Sequence, residues 1–249
     1  MNAAVRSELF KQRTTRTGRY LLLTLAVLIA AVVALHVTSL PAADLRNSQG
    51  QLKILGMGTT FGMLFASLLG ALSITSEIRT GLIRPTLLMT PRRGRMLSAK
   101  FVAAAGGGLI VGLCAEGVAI AVEGIGLGAR GIPVASGTVQ LTQLLLGGGV
   151  AAAVWAVIGV GVGALVRNQV ATLVGLVVWL LFIEQTLVGI VPTIAKYSPG
   201  PSAGAIAGAI LQQTSSYLLA PAIGALLAVG YVAATTAAAL LSTARRDFT

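Results

Sequence analysis

The chain has one histidine, one cysteine and only seven acidic residues among its 249 positions. A single cysteine, Cys114, makes no intramolecular disulfide, so no oxidised scaffold is expected. Within its apolar run it reads as a small buried side chain rather than a reactive thiol. The one histidine, His36, has no evident nucleophile or carboxylate partner, which removes a triad. No His, Cys and carboxylate cluster has metal-ligand spacing. No G-x-x-x-x-G-K-[ST] segment occurs, so the chain offers ATP no phosphate loop of that kind. No catalytic residue, no metal site and no enzymatic activity are expected. Charged residues make up 10% of the chain, where soluble domains carry about 25%. Aromatic residues, at 5%, do not interleave with basic ones. Despite a formal net charge of +11, nucleic acid is therefore not an expected partner.

Hydrophobic residues are abundant, at 55% with a mean hydropathy of +0.89. Crossing a hydrocarbon core takes about 20 apolar residues in a helix. Six runs qualify: 20–40, 52–74, 101–122, 139–166, 170–191 and 220–241. They are continuously apolar and do not alternate, which favours helices over a barrel. The fourth is longer than needed, and Gly147, Gly148 and Gly149 are expected to break or tilt it. The first exceeds a signal-peptide core and reads as an uncleaved helix. The expected fold is all-α: one polytopic membrane domain over 1–249 with six transmembrane helices.

The basic residues lie in blocks between the runs. The leader, the segment after the second run, Arg167 and the segment after the sixth run carry fourteen Lys and Arg, against four (Arg46, Lys53, Arg130 and Lys196) in the opposite loops. By the positive-inside rule both termini are cytoplasmic. In the leader, 1–19, Met1, Val5 and Leu9 recur at helical spacing among basic residues, the pattern of an interfacial amphipathic helix in contact with membrane lipid. The alternative is a disordered basic tail. On the outer side, 192–219 is long and only partly polar. A helix starting at Pro201-Ser202 and too short to span reads as a re-entrant or lipid-resting segment.

Residues 76–98 form the most informative loop. Pro85 and Pro91 bracket a short expected helix that presents Leu87, Leu88 and Met89 in a basic surround. Exposed apolar residues in that setting make a protein-docking surface, the alternative being that they rest on the membrane. The succession Glu77-x-x-x-Gly81, Leu82-Ile83, Thr86-Leu87-Leu88, Pro91-Arg92-Arg93 and Lys100 resembles the first cytoplasmic loop of type-2 ABC-transporter permeases, of the bacterial multidrug or daunorubicin-resistance exporter kind. The leader from Arg6 to Arg16, the run from Trp179 to Glu184 and the segment Tyr197-Ser198-Pro199-Gly200 resemble the same family. Leu82 and Ile78 depart from it, where members often have Thr and an aromatic residue. The resemblance implies a permease subunit in a bacterial plasma membrane that pairs with a second permease chain, identical or different. It implies ATP and Mg on separate ABC ATPase subunits, with no cofactor on this chain. It also implies a coupling helix through which Glu77, Arg79, Gly81, Arg84, Thr86, Leu87, Leu88, Met89, Arg92 and Arg93 dock the ATPase. The cargo it implies is an amphiphilic or apolar molecule moved outward.

Within the spans, Glu116 and Glu184 fall about 21–22 Å above the inner boundary, and Gln143 falls in the same outer third. Polar groups at such depth face the protein interior or water. They read either as a translocation path or gate, or as interhelical hydrogen bonds that hold the bundle. Glu123 reads as a solvated residue near the interface. The pairs Gly58/Gly62, Gly108/Gly112 and Gly159/Gly163 have the spacing of close helix packing, and Gly204/Gly208 repeats it outside the spans. An ion-driven secondary transporter using Glu116 or Glu184, and a docking subunit without transport, remain open alternatives.

Overall fold

A computed structural model describes residues 2–81, 93–208 and 219–245. Among them the protein is helical throughout, without a strand, and six helices are long and apolar enough to cross a membrane. It is an all-α polytopic membrane protein. In chain order the elements are α1 (Asn2–Thr14), α2 (Arg16–Ser39), α3 (Ala42–Leu45), α4 (Ser48–Arg79), α5 (Arg93–Ala129), α6 (Thr138–Val166), α7 (Gln169–Val178), a π-helical turn (Trp179–Ile183), α8 (Glu184–Ile190), α9 (Pro192–Ala195), α10 (Pro199–Ala207) and α11 (Pro221–Arg245). α7, the π turn and α8 together make the fifth span. Helix starts follow local chemistry. The Asn47 side chain accepts from Gly50 N–H at 2.7 Å and that of Asn168 from Ala171 N–H at 3.0 Å, each satisfying an orphan donor of a first turn.

α4, α5 and α6 form the centre. Hydrophobic attraction between helices is weak in lipid, so small residues that permit close approach hold them together. The three glycine pairs close a ring. On α4, a Cβ at Gly62 would lie 3.2 Å from Ala115 Cβ on α5, and one at Gly58 3.1 Å from Ala119 Cβ. On α5, a Cβ at Gly108 would lie 2.6 Å from Ala156 Cβ on α6, and one at Gly112 2.6 Å from the Gly148 carbonyl oxygen. On α6, a Cβ at Gly159 would collide with the Ser67 backbone of α4, and one at Gly163 would sit 2.9 Å from Ile74 Cγ2. Each central helix thus offers one glycine pair to the next. The run Gly147–Gly149 does not break α6, which continues from Thr138 to Val166. All three of these glycines are buried, and they let α6 approach Ala207 of α10, Glu116 and Leu113.

α2, the fifth span and α11 pack around this centre and leave large apolar side chains uncovered, among them Leu23, Val170 and Leu226. Such faces suit lipid. Cys114 also lies on an exposed face, not in the core, because it falls on the side of α5 turned away from buried Val111, Ala115 and Glu116. The leader is two pieces. α1 ends at Thr14, and after extended Thr15 the residues from Arg16 onward already belong to the first spanning helix. The outer helix α10 starts at Pro199, before the expected Pro201, and is buried against α11 and α6 instead of resting on lipid. Residues 209–218 of the outer segment lie outside the described residues.

Replacing Gly159 with Val should destabilise the fold by about 1–3 kcal/mol or more, because the new atoms meet backbone that has nowhere to go. Gly117→Ala, into open space, should be neutral or stabilise by about 0.5–1 kcal/mol. Thermal unfolding in detergent, followed by loss of the monodisperse species, tests the pair. Equal melting temperatures would remove the glycine ring as the organising contact.

Candidate functional site

The loop that carries most of the expected docking residues is bracketed by the end of α4 and the start of α5. Residues 82–92 lie outside the described residues, and with them Arg84, Thr86, Leu87, Leu88, Met89, Arg92 and the expected short helix. α4 ends at Arg79, a basic residue in a last turn where cations complement the helix dipole. Thr80 caps the helix, and Gly81 follows at φ +72°, a left-handed conformation that glycine adopts without steric cost. Arg79 and Gly81 are exposed. Arg93 opens α5.

Glu77 is not on this exposed surface. It is buried at 8% exposure and belongs to an ion cluster that the sequence reading did not assemble. Lys100 Nζ, fully buried, lies 2.9 Å from Glu8 Oε2 on α1 and 2.9 Å from Glu77 Oε1 on α4, and donates to the Ser73 carbonyl at 3.0 Å. Lys11 Nζ, on α1, lies 2.8 Å from Glu8 Oε1 and 2.9 Å from Glu77 Oε1. Two carboxylates and two ammoniums balance in charge and tie α1, α4 and α5 together at the two flanks of residues 82–92. Glu77, expected as a docking contact, has its carboxylate engaged within the protein. The reason is that Lys100, carried into the bundle on α5, needs anionic partners, since an unpaired buried ammonium is costly.

Burial raises the Glu8 carboxyl, but the Lys100 ammonium and the bonds from Lys11 and Lys100 outweigh it and hold Glu8 below its ordinary value. Burial lowers the Lys11 ammonium, but bonds to Glu8 and Glu77 outweigh that and hold it above its ordinary value. Glu8 therefore adds stability at pH values above the ordinary carboxylate range, lost as pH falls through its lowered value. Lys11 adds stability below its ordinary range, lost as pH rises through its raised value. Across neutral pH the cluster stays intact.

The three polar groups expected along a path occupy three separate places. Glu116 has no exposed surface and stands where α4, α5 and α6 meet, against Gly58 and Gly148. The Thr59 hydroxyl donates to its Oε1 at 2.5 Å, and Oε2 has no hydrogen-bond partner among the described residues. So enclosed, Glu116 acts here as an interhelical contact. Glu184 follows the π-helical turn, itself unanticipated, and its Oε1 accepts from Gly200 N–H at 2.8 Å. It thereby serves the first turn of α10 from another helix and lines a narrow cleft with Thr60, Met63 and Gln185. Gln143 is exposed, beside Gly208. Glu123 is corrected in the opposite sense. α5 runs on to Ala129, and Glu123 is buried two turns beyond Glu116 on the same face. His36 Nδ1 sits 2.8 Å from the Val32 carbonyl of its own helix. Among the described residues no group of His, Cys, Asp and Glu has the arrangement of a metal site.

At the opposite end, Gln51 is fully buried and satisfied. Its Nε2 donates to the Leu45 and Pro133 carbonyls at 2.9 and 3.0 Å, and its Oε1 accepts from Ala135 N–H at 2.8 Å. No spacing in the sequence marks this residue, because its partners are backbone groups, at the end of α3 and in the distant residues 133–136.

Lys100→Met should leave two carboxylates facing each other without their buried cation and cost about 3–5 kcal/mol. Lys100→Arg, which keeps a cation between the two carboxylates, should cost less, as thermal unfolding would show. Glu116→Gln should change stability by less than about 1 kcal/mol, because an amide oxygen still accepts from Thr59. No protein-family model matches the chain, and no curated protein matches it.

Proposed function

We propose that this chain is the membrane-spanning permease subunit of an ATP-driven exporter in a bacterial plasma membrane. It pairs with a second permease chain and two separate ABC ATPases and moves an amphiphilic or apolar molecule outward. The reading starts from the resemblance of residues 77–100 to a coupling loop. One structural observation supports it. Glu77 and Lys100, which flank residues 82–92, are joined at 2.9 Å on two of the three central helices. Force applied to the loop would therefore enter the glycine ring, not a peripheral helix. A docked ATPase shifts the bundle only by the difference in its affinity for two arrangements, so the loop must be tied to whatever rearranges.

The Glu77 side chain is poorly placed for a test of docking, since its removal disrupts the cluster. Leu88→Asp and Arg92→Glu lie beyond the cluster and should each weaken co-purification with the cognate ATPase by about tenfold, which corresponds to about 1.4 kcal/mol. The isolated chain should hydrolyse no ATP. Undiminished co-purification of both variants, each shown to be folded, would sink the docking assignment.

A second reading rests on Glu116 and Glu123, two buried carboxylates on one face of α5 with no cation partner among the described residues. Buried acids in a span are a feature of proton-driven transporters. Uptake by the chain alone in liposomes, driven by a proton gradient and abolished by Glu116→Gln, would favour it over the ATP-driven permease.

A further inference from the structure

α1 divides its charges between two faces. Glu8, its one acidic residue, is turned inward at 7% exposure and is held by Lys100 and Lys11. The outward surface of α1 and of the first turn of α2 carries exposed Arg6, Arg16 and Arg19, which have no carboxylate partner among the described residues. Apolar groups lie among them, with Phe10 and Tyr20 each 66% exposed. Only Thr15 separates α1 from a membrane-crossing helix, so this surface stays at the bilayer boundary. Cations beside exposed apolar side chains at that depth match the headgroup layer of an anionic leaflet. Lys11 stands on the border between the two faces, with 45% of its side chain exposed while its ammonium bridges Glu8 and Glu77.

We infer that the outward face of α1 binds anionic lipid headgroups, and that the Glu8–Lys11–Glu77–Lys100 cluster transmits this binding to the helix ends that flank residues 82–92. Lipid engagement orders α1. Through Glu8 and Lys11 that order reaches Glu77 near the end of α4 and Lys100 in the second turn of α5. Because α1 packs on α5 more than on any other helix, the start of α5 is where the effect is read. The inference is independent of the permease reading, since neither the surface nor the cluster involves an ATPase.

The test is hydrogen–deuterium exchange on the full chain, comparing vesicles of phosphatidylcholine with vesicles that also contain phosphatidylglycerol. In the wild type, anionic lipid should slow exchange about fivefold in 2–14 and again in 93–100, the effect of about one engaged arginine. The variant Arg6→Gln/Arg16→Gln/Arg19→Gln should lose the lipid dependence in both segments. The double variant Glu8→Gln/Lys11→Gln, which removes both α1 ion pairs of the cluster, should keep it in 2–14 and lose it in 93–100, whereas Lys11→Arg, which keeps the charge, should retain both. Equal exchange in the two vesicle types, or a triple variant that still responds to phosphatidylglycerol, would overturn the lipid surface. A wild-type response confined to 2–14, or a Glu8→Gln/Lys11→Gln variant that still responds in 93–100, would overturn the transmission.

Discussion

Backbone-to-backbone approach among three helices is the constraint on which the remainder rests. α4, α5 and α6 each present a glycine pair to the next, and the positions they meet are mostly small residues or backbone, with Ile74 and Glu116 the larger exceptions. In lipid, where apolar side chains gain little from leaving one hydrocarbon for another, such contacts supply the attraction that a soluble core draws from water. They also set the environment of Glu116. With Gly58 and Gly148 on either side, the carboxyl group is enclosed by packing and is satisfied in part by Thr59 alone. The outer helices α2 and α11 and the fifth span then need only one packed side each, and the large side chains they leave exposed along the spans are mostly apolar.

Two polar ties stabilise the ends of this core, and they differ in kind. At the end rich in lysine and arginine, four charged side chains from three helices neutralise one another around fully buried Lys100. At the other end a neutral side chain, Gln51, binds four backbone groups, one at the end of α3 and three in residues 133–136. A neutral tie has a small desolvation cost and holds a fixed geometry. A charged one is costly to break and changes with the ionic surroundings. The charged tie lies beside the residues proposed to meet a partner and beside the helix proposed to meet lipid, where a response to surroundings has a use.

Composition and run length made the membrane class legible, because hydrocarbon thickness converts directly into a count of apolar residues. Five of the six expected spans agree with the observed helices to within about five residues at each end, and 101–122 is exceeded at both ends by α5. The fifth, 170–191, carries a π-helical turn that no residue pattern announced. The glycine pairs were visible as spacings. Their assignment to one ring was not, since a spacing names a face and not the helix that meets it. Glu77 shows the same limit from the other side. Its place in a loop motif suggested an outward role, and its burial followed from Lys100, 23 positions further along the chain.

The sequence alone determined that this is a helical protein of the bilayer, which segments cross it and where its basic charge is concentrated, because these depend on local composition measured against a fixed thickness. Tertiary structure decided the partners of each buried charge, the enclosure of Glu116 and Glu123, the exposure of Gln143 and Cys114, and the burial of α10. Those depend on which helix faces which. That relation is fixed by complementary shape between segments distant in the chain, and no local pattern carries it.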